Sequence, residues 1–267
     1  MWTGIARNRW TRATCALPLV ACACTSAPRA PELGAAPDAS TLLAALEDAP
    51  AGDTYTASLF LEFTGGFLEE DELKINGEIA LAWPDHVRVI GAYGAFKKVF
   101  DLLVHEDRFQ LFDNQEGVLF RGAADDPDAA VSLGFAVRPV DIPRLLRIDG
   151  TGPLEGAGVS RVHASGDSIH VEFRVDGDGA RWRAVYEAAT LDLLVVRREE
   201  SGGDGLEARY ESYFRSGGRR VPRRVDVRRL GGDERVRIEV RSIRFRDRID
   251  ADVFAVTSPE GAEVVDL

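Results

Sequence analysis

Few side chains here sit at a spacing that supports bond-making chemistry. The four histidines, His86, His105, His163 and His170, each fall in or beside an alternating apolar segment. Their spacing matches neither H-x-x-H nor HExxH, the arrangements that bring two imidazoles onto one metal. His163 and His170 lie in neighbouring predicted strands and can meet in space, although solvated strand histidines are far commoner. Asp176-Gly177-Asp178-Gly179 lacks the later ligands of a calcium loop and reads as a turn. Asp125, Asp126 and Asp128 cluster where a helix begins, and capping explains them. No G-x-S-x-G elbow, phosphate loop or GxGxxG after a strand is present. With no nucleophile beside a base, the expectation is a protein that is not an enzyme and uses no cofactor or metal.

The thiol with informative surroundings is Cys22. Arg7, Arg9 and Arg12 form a positive lead, and Ala13 to Ala21 is an apolar run too short to span a membrane as a mature helix. This is the layout of an export signal, and Leu19-Val20-Ala21-Cys22 resembles a bacterial lipobox with Cys22 as the acylated residue. The alternative is an ordinary cleaved signal with Cys22 and Cys24 incidental. Cleavage before Cys22 removes Cys15 and leaves Cys24 alone, so no structural disulfide is available in an oxidising compartment. It also removes three arginines from a chain of 33 basic and 44 acidic residues, leaving 30 against 44 and a net charge of −14. Nucleic acid would repel such a protein, which excludes it as a partner. No later apolar run is long enough for a membrane helix. Thr25 to Asp38 is rich in Ala, Pro and Ser and reads as a tether. The expected organisation is a signal over 1–21, a lipidated N-terminus and tether over 22–38, and one β domain over 39–267.

The folded part is predicted to be mainly β with short helices. Asp38 or Ser40 can cap a short helix striped by Leu42, Leu43 and Leu46. Tyr55 to Phe63 and Leu73 to Trp83 alternate with period two, placing Leu59, Leu61 and Phe63, then Ile79, Leu81 and Trp83, on one apolar face. Val87 and Val89, Phe100 and Leu102, and Phe109 and Leu111 continue it across short connections, which permit only antiparallel neighbours. That face must be covered or occupied. After Gly122 the period changes: Asp126-Pro127 starts a helix running to Gly134, and Asp141 opens another carrying Ile142, Leu145, Leu146 and Ile148. These two helices are either a lid or a cap sealing an ordinary core. Strands then resume, roughly ten to twelve in all, at the spacing of one sandwich or barrel. In the last third, Arg235, Arg237 and Arg241 oppose Val236, Ile238 and Val240, while Arg224 and Arg228 alternate with Val225 and Val227. With Glu207, Glu211, Glu234 and Glu239 as cross-strand partners this predicts a solvated, mixed-charge face. A basic patch touching anionic headgroups is the other reading.

Together these features resemble the periplasmic lipoprotein-carrier superfamily of LolA and LolB. The residues that carry the resemblance are Gly77-Glu78-Ile79, Trp83-Pro84-Asp85-His86-Val87-Arg88-Val89, Gly91-Ala92-Tyr93-Gly94 and Phe109-Gln110-Leu111-Phe112-Asp113. The helix from Pro139 to Arg147 and the ending Phe254-Ala255-Val256-Thr257-Ser258-Pro259-Glu260-Gly261 add to it. The resemblance implies an incompletely closed antiparallel barrel around a hydrophobic groove that receives acyl chains. Leu59, Leu61, Phe63, Ile79, Leu81, Trp83, Val87, Val89, Phe100, Leu102, Phe109 and Leu111 would line it, with Leu133, Phe135, Leu145 and Leu146 on the lid. Tyr93 occupies the loop position where LolB-like receptors carry a protruding apolar residue. Ala23 after Cys22 favours the outer membrane in that family's sorting logic, on the periplasmic face, with a periplasmic carrier protein as a possible partner. The rival readings are a sensor or regulatory lipoprotein that holds a partner peptide in the same groove, and a structural envelope protein with a filled core.

Overall fold

The computed structural model describes residues 54–65, 72–84, 86–94, 97–126, 137–147, 157–175, 179–200, 205–256 and 259–267, with Thr41, Ala44, Ala129 and Leu154 besides. Strands β1 (Thr54–Thr64), β2 (Glu72–Ala82), β3 (His86–Tyr93), β4 (Lys97–His105), β5 (Arg108–Asp113) and β6 (Val118–Ala123) follow one another. The helix α1 (Asp141–Leu146) follows β6. Then come β7 (Ala157–Ser165), β8 (Ser168–Val175), β9 (Arg181–Glu187), β10 (Leu193–Glu199) and β11 (Gly205–Glu211). The short β12 (Phe214–Ser216) and β13 (Arg219–Val221) pair only with each other. β14 (Arg224–Leu230), β15 (Arg235–Phe245), a 3-10 turn (Ala251–Phe254) and β16 (Glu263–Asp266) complete the chain.

Fourteen strands form one sheet in the order β16-β6-β5-β4-β3-β2-β1-β15-β14-β11-β10-β9-β8-β7. β1 to β6 are a meander, as the short connections require. β15 brings the second half back onto β1, antiparallel from Tyr55↔Phe245 to Thr64↔Arg235. Residues of β5 and of β8, far apart in that order, belong to one continuous buried cluster, so the sheet curls around its inner face. Its end strands β16 and β7 are not paired with each other, so hydrogen bonds do not close it.

The inner face follows the period of two. In β1, Tyr55, Ala57, Leu59 and Leu61 are buried while Ser58 is exposed; in β2, Leu73, Ile75, Gly77, Ile79 and Leu81 are buried. Sixteen strands are present among the described residues where ten to twelve were expected. The predicted Leu206 to Arg215 run breaks at Ser212, whose φ is +57°, and the Val221 to Leu230 run breaks at Pro222, which has no N–H for a ladder. The strand expected around His163 is β7, whose alternation Gly158, Ser160, Ala164 and Ser165 blur. Of the predicted N-terminal helix, Thr41 and Ala44 are helical; Ala129 is helical in the predicted 126–134 segment. Cys22, the tether, Leu133 and Phe135 lie outside the described residues.

Candidate functional site

The inner face keeps a cavity of about 80 Å³ between the sheet and α1, and the described residues around it are all apolar. β1 supplies Leu59, Leu61 and Phe63, β3 Val89, and β4 Phe100 and Leu102. The far side comes from Val227 of β14 and from Val236 and Ile238 of β15. α1 and its approach close it with Val137, Ile142, Leu145 and Leu146. A water needs roughly 10–15 Å³ of such space and two or more polar partners, so this cavity has room for several waters and none of their partners. It is a dry space suited to hydrocarbon.

Two glycines shape its floor. Gly77 and Gly91 face each other across β2 and β3. A Cβ on Gly77 would lie 2.9 Å from the Leu61 side chain, and one on Gly91 would lie 2.5 Å from the Phe100 ring. Their bare backbones let Leu61 and Phe100 lie flat against the sheet. Phe100 meets Phe63 edge-on, with centroids 6.0 Å apart and planes at 86°. Both phenylalanines are only partly buried, whereas Leu59, Leu102 and Leu145 are buried, so the mouth lies at the Phe63–Phe100 end.

α1 is seated by backbone satisfaction as well as by apolar contact. Asp141 is its first helical residue, yet no side chain caps the N-terminus; the Asp141 carboxylate instead accepts from Arg138 at 2.9 and 3.1 Å. Pro143 in the first turn sacrifices an N–H that has no helical partner there. At the other end two buried tyrosines reach up from the sheet. Tyr55 of β1 donates to the Leu146 carbonyl at 2.6 Å, and Tyr210 of β11 donates to the Leu145 carbonyl at 3.0 Å. Burial pushes the Tyr210 hydroxyl's pKa well up, so it stays a donor. A helix this short cannot hold itself together, and those two bonds pin carbonyls that would otherwise be orphaned.

Of the residues expected to line a groove, Leu59, Leu61, Phe63, Val89, Phe100 and Leu102 border the cavity, as do Leu145 and Leu146 of α1. Ile79, Leu81, Val87, Phe109 and Leu111 do not: they are buried in the packed core. Trp83 is partly buried and lies under the Arg147 guanidinium, 4.8 Å from its ring, instead of facing the cavity. Sequence reasoning missed Val227, Val236 and Ile238 as lining residues. Their alternation with arginines was visible, but not the pairing of β15 with β1 that carries them inside. Tyr93 stands at the end of β3 with 36% of its surface exposed and Lys97 Nζ 5.8 Å from its ring centre.

The charged outer face is a network of ion pairs. Glu207 accepts from Arg209 at 2.7 Å and Arg228 at 2.9 Å; Asp226 is paired with Arg235 and lies 3.5 Å from Arg237, which also reaches Glu62 at 3.0 Å. Burial would raise the pKa of Glu207 and Asp226, but the flanking arginines outweigh it and hold both carboxyls below their usual range. The mixed-charge expectation holds for these strands, with Asp226 and Glu62 as partners the sequence did not single out. His163 and His170 do meet, stacked at 4.9 Å, and His86 and His105 form a second cross-strand pair at 4.2 Å. Among the described residues, no group of three or more His, Cys, Asp or Glu could hold a metal ion.

No family model and no curated protein sequence matches the chain. Solved structures do. A LolA superfamily protein from Nitrosomonas europaea aligns with a TM-score of 0.58 at 14% identity, over 80% of this chain and 96% of that one. A DUF1329 family protein from Desulfovibrio piger aligns at 0.59 and 10% identity, over 80% and 94%. A domain described as an outer membrane lipoprotein-sorting one, from Vibrio parahaemolyticus, aligns at 0.56 and 9% identity, over 80% and 94%. Likeness at such identities speaks for the fold alone, and this chain shares its fold with all three, the LolA superfamily protein among them.

Proposed function

We propose that this chain, built on a LolA-type curved sheet, is a lipid-anchored envelope protein that carries or receives an acyl chain in its inner cavity without covalent chemistry. One observation carries the reading: the described lining of the cavity is apolar and includes the short helix α1, held through two tyrosine hydroxyls. Each buried CH₂ of an acyl chain stabilises the complex by about 0.8 kcal/mol, so a dry groove binds lipid by area alone. About 80 Å³ takes only a short length of hydrocarbon, so a full chain must displace α1 and enter past Phe63 and Phe100. In this reading α1 is the lid, and Leu145 and Leu146 are the surface it presents to the ligand. Cys22 is the anchor, Tyr93 the exposed apolar contact, and the outer membrane's periplasmic face the location. A lipoprotein, delivered by a soluble carrier, is the natural source of the acyl chain.

The test is native mass spectrometry of the full chain purified from membranes, together with titration of a fluorescent fatty-acyl probe. The expected result is a co-purified lipid and saturable probe binding that the lipid competes away. A protein that emerges empty and never binds the probe overturns the carrier reading.

A further inference from the structure

A second pocket lies on the opposite, convex face of the sheet, where the inner cavity cannot reach it. It occupies about 350 Å³ over β15, β1, β2 and β3. Its plan follows from the strand registers. One row across the sheet reads Ser242, Ser58, Glu78 and Ile90; the next reads Arg244, Thr56, Ala80 and Arg88. Small side chains at Ser58, Thr56 and Ala80 make the floor, with Arg244 as the wall at one end and Ile90 and Arg88 at the other. The depression is sharpened by a bulge, since β1 and β15 shift register between Ser58↔Ser242 and Leu59↔Val240. The extra residue, Arg241, turns away to Asn76 Oδ1 at 2.7 Å. Bulges kink a strand and re-aim side chains, and they recur next to binding sites.

The far wall is built as a fixed post. Arg88 donates to both carboxylate oxygens of Asp101, at 2.8 and 2.5 Å, and Asp101 is 3% exposed. The remaining Nη1 of Arg88 donates to the Val253 carbonyl at 2.7 Å, which holds the 3-10 turn as a rim beside the pocket. Arg88 is thus neutralised and fixed in place. What remains is one free cation and one free anion. Among the described residues, Arg244 and Glu78 are exposed and neither has a hydrogen-bond or ion-pair partner, and the hydroxyls of Thr56, Ser58 and Ser242 are equally unengaged.

We propose that this convex pocket binds a compact zwitterion made of a phosphate and an ammonium group, with the phosphate at Arg244 and the ammonium at Glu78. Thr56, Ser58, Ser242 and Arg244 form a square on two paired strands, with edges of roughly 5 and 7 Å from strand spacing and rise. Four donors at such corners suit a tetrahedral oxyanion. A planar carboxylate would be satisfied by the guanidinium alone. Glu78 stands at the diagonal corner, two strands and two residues from Arg244, about 12 Å between Cα atoms by the same geometry. The two side chains do not pair in the structure, and a bridging ligand fills the gap between their charges. Ala80, Ile90 and Val253 supply apolar contact for the short linker that joins the ligand's two charges. A phosphoethanolamine group has this chemistry, whether free or as a lipid headgroup.

Isothermal titration of the full chain with O-phosphoethanolamine tests the proposal. Saturable binding is expected, at least tenfold tighter than that of inorganic phosphate or of ethanolamine alone. Arg244→Gln and Glu78→Gln should each weaken it roughly tenfold, since each removes a charge-assisted contact. Both residues are exposed, so the unfolding midpoints of these variants should match the wild type, and Arg244→Lys should retain part of the binding that Arg244→Gln loses. Dihexanoyl phosphatidylethanolamine below its micelle concentration separates the sources: it competes if the pocket takes a lipid headgroup and fails if the pocket takes only the free ligand. No saturable binding, equal affinity for inorganic phosphate, or wild-type affinity in both Gln variants would overturn the assignment. None of these outcomes bears on the inner cavity, which acyl-probe binding reads separately.

Discussion

Truncating two leucines of the same inner face separates a cavity from a filled core. Leu61 borders the cavity and is 3% exposed, whereas Leu81 is 0% exposed and surrounded by packed core. Leu→Ala removes about 2 kcal/mol of apolar transfer at either site, at roughly 0.8 kcal/mol per CH₂. A rigid site adds a hole at about 24 cal/mol per Å³, so a void of roughly 80 Å³ adds a further ~2 kcal/mol. Leu81→Ala should therefore cost about 4 kcal/mol. Leu61 has protein on fewer sides, and α1, anchored by two tyrosine bonds, can settle toward the gap. Its truncation should cost about 2 kcal/mol, near the lower end of the usual range. Urea unfolding at pH 7 reads the difference, with unchanged m-values as the check that both variants still unfold from the same compact state. Acyl-probe affinity should change in Leu61→Ala and stay put in Leu81→Ala. Equal stability losses of about 4 kcal/mol, with no probe binding by the wild type, would refute the cavity and leave a filled structural core.

Tyr55→Phe and Tyr210→Phe each strand a buried carbonyl of α1, so each should cost about 1–3 kcal/mol in denaturant unfolding and speed acyl-probe entry by loosening the helix. An unchanged probe association rate in both variants would show that α1 does not gate the cavity. Cys22→Ala should shift the protein from membrane to soluble fractions, since it removes the acyl group that would be buried; continued membrane partition would count against Cys22 as the anchor. His170 titrates lower than a free histidine because burial and then the neighbouring His163 disfavour its charge. The unfolded chain therefore takes the proton first as pH falls through 6.5, and the unfolding midpoint should decline from pH 7 to 5.5, less so in His170→Gln. A second loss should follow as pH falls below about 4.5, because the folded state holds Glu207 and Asp226 ionised beside their arginines.

The inner face was legible because its cause is local. A period of two, read along Tyr55 to Phe63 and Leu73 to Trp83, fixes which side chains point inward whatever the partner strand. Short turns then force neighbours to be antiparallel, so the β1 to β6 meander follows without knowledge of the rest. The pairing of β15 with β1 is not local. About 180 residues separate the two, and nothing in either run names the other, since any alternating strand offers the same ladder. This one non-local pairing turns Val236 and Ile238 from an apolar stripe opposite arginines into a wall of the cavity.

The same reasoning separates what the cavity owes to pattern from what it owes to placement. Hydrophobic alternation marks Leu61 and Leu81 alike, and only the position of α1 makes one a lining residue and the other core. That position depends on two phenol hydroxyls, at Tyr55 and Tyr210, which a hydropathy pattern counts merely as apolar bulk. Gly77 and Gly91 are a comparable case. In a strand, glycine ordinarily costs stability, and a pair directly opposite each other doubles that cost. Their retention makes sense where a side chain would collide with Leu61 and Phe100, so the floor of the cavity is set by two missing Cβ atoms. Gly91→Ala would push the Phe100 ring off the sheet and into the space an acyl chain would use. A core merely filled for stability has no need to keep that floor bare.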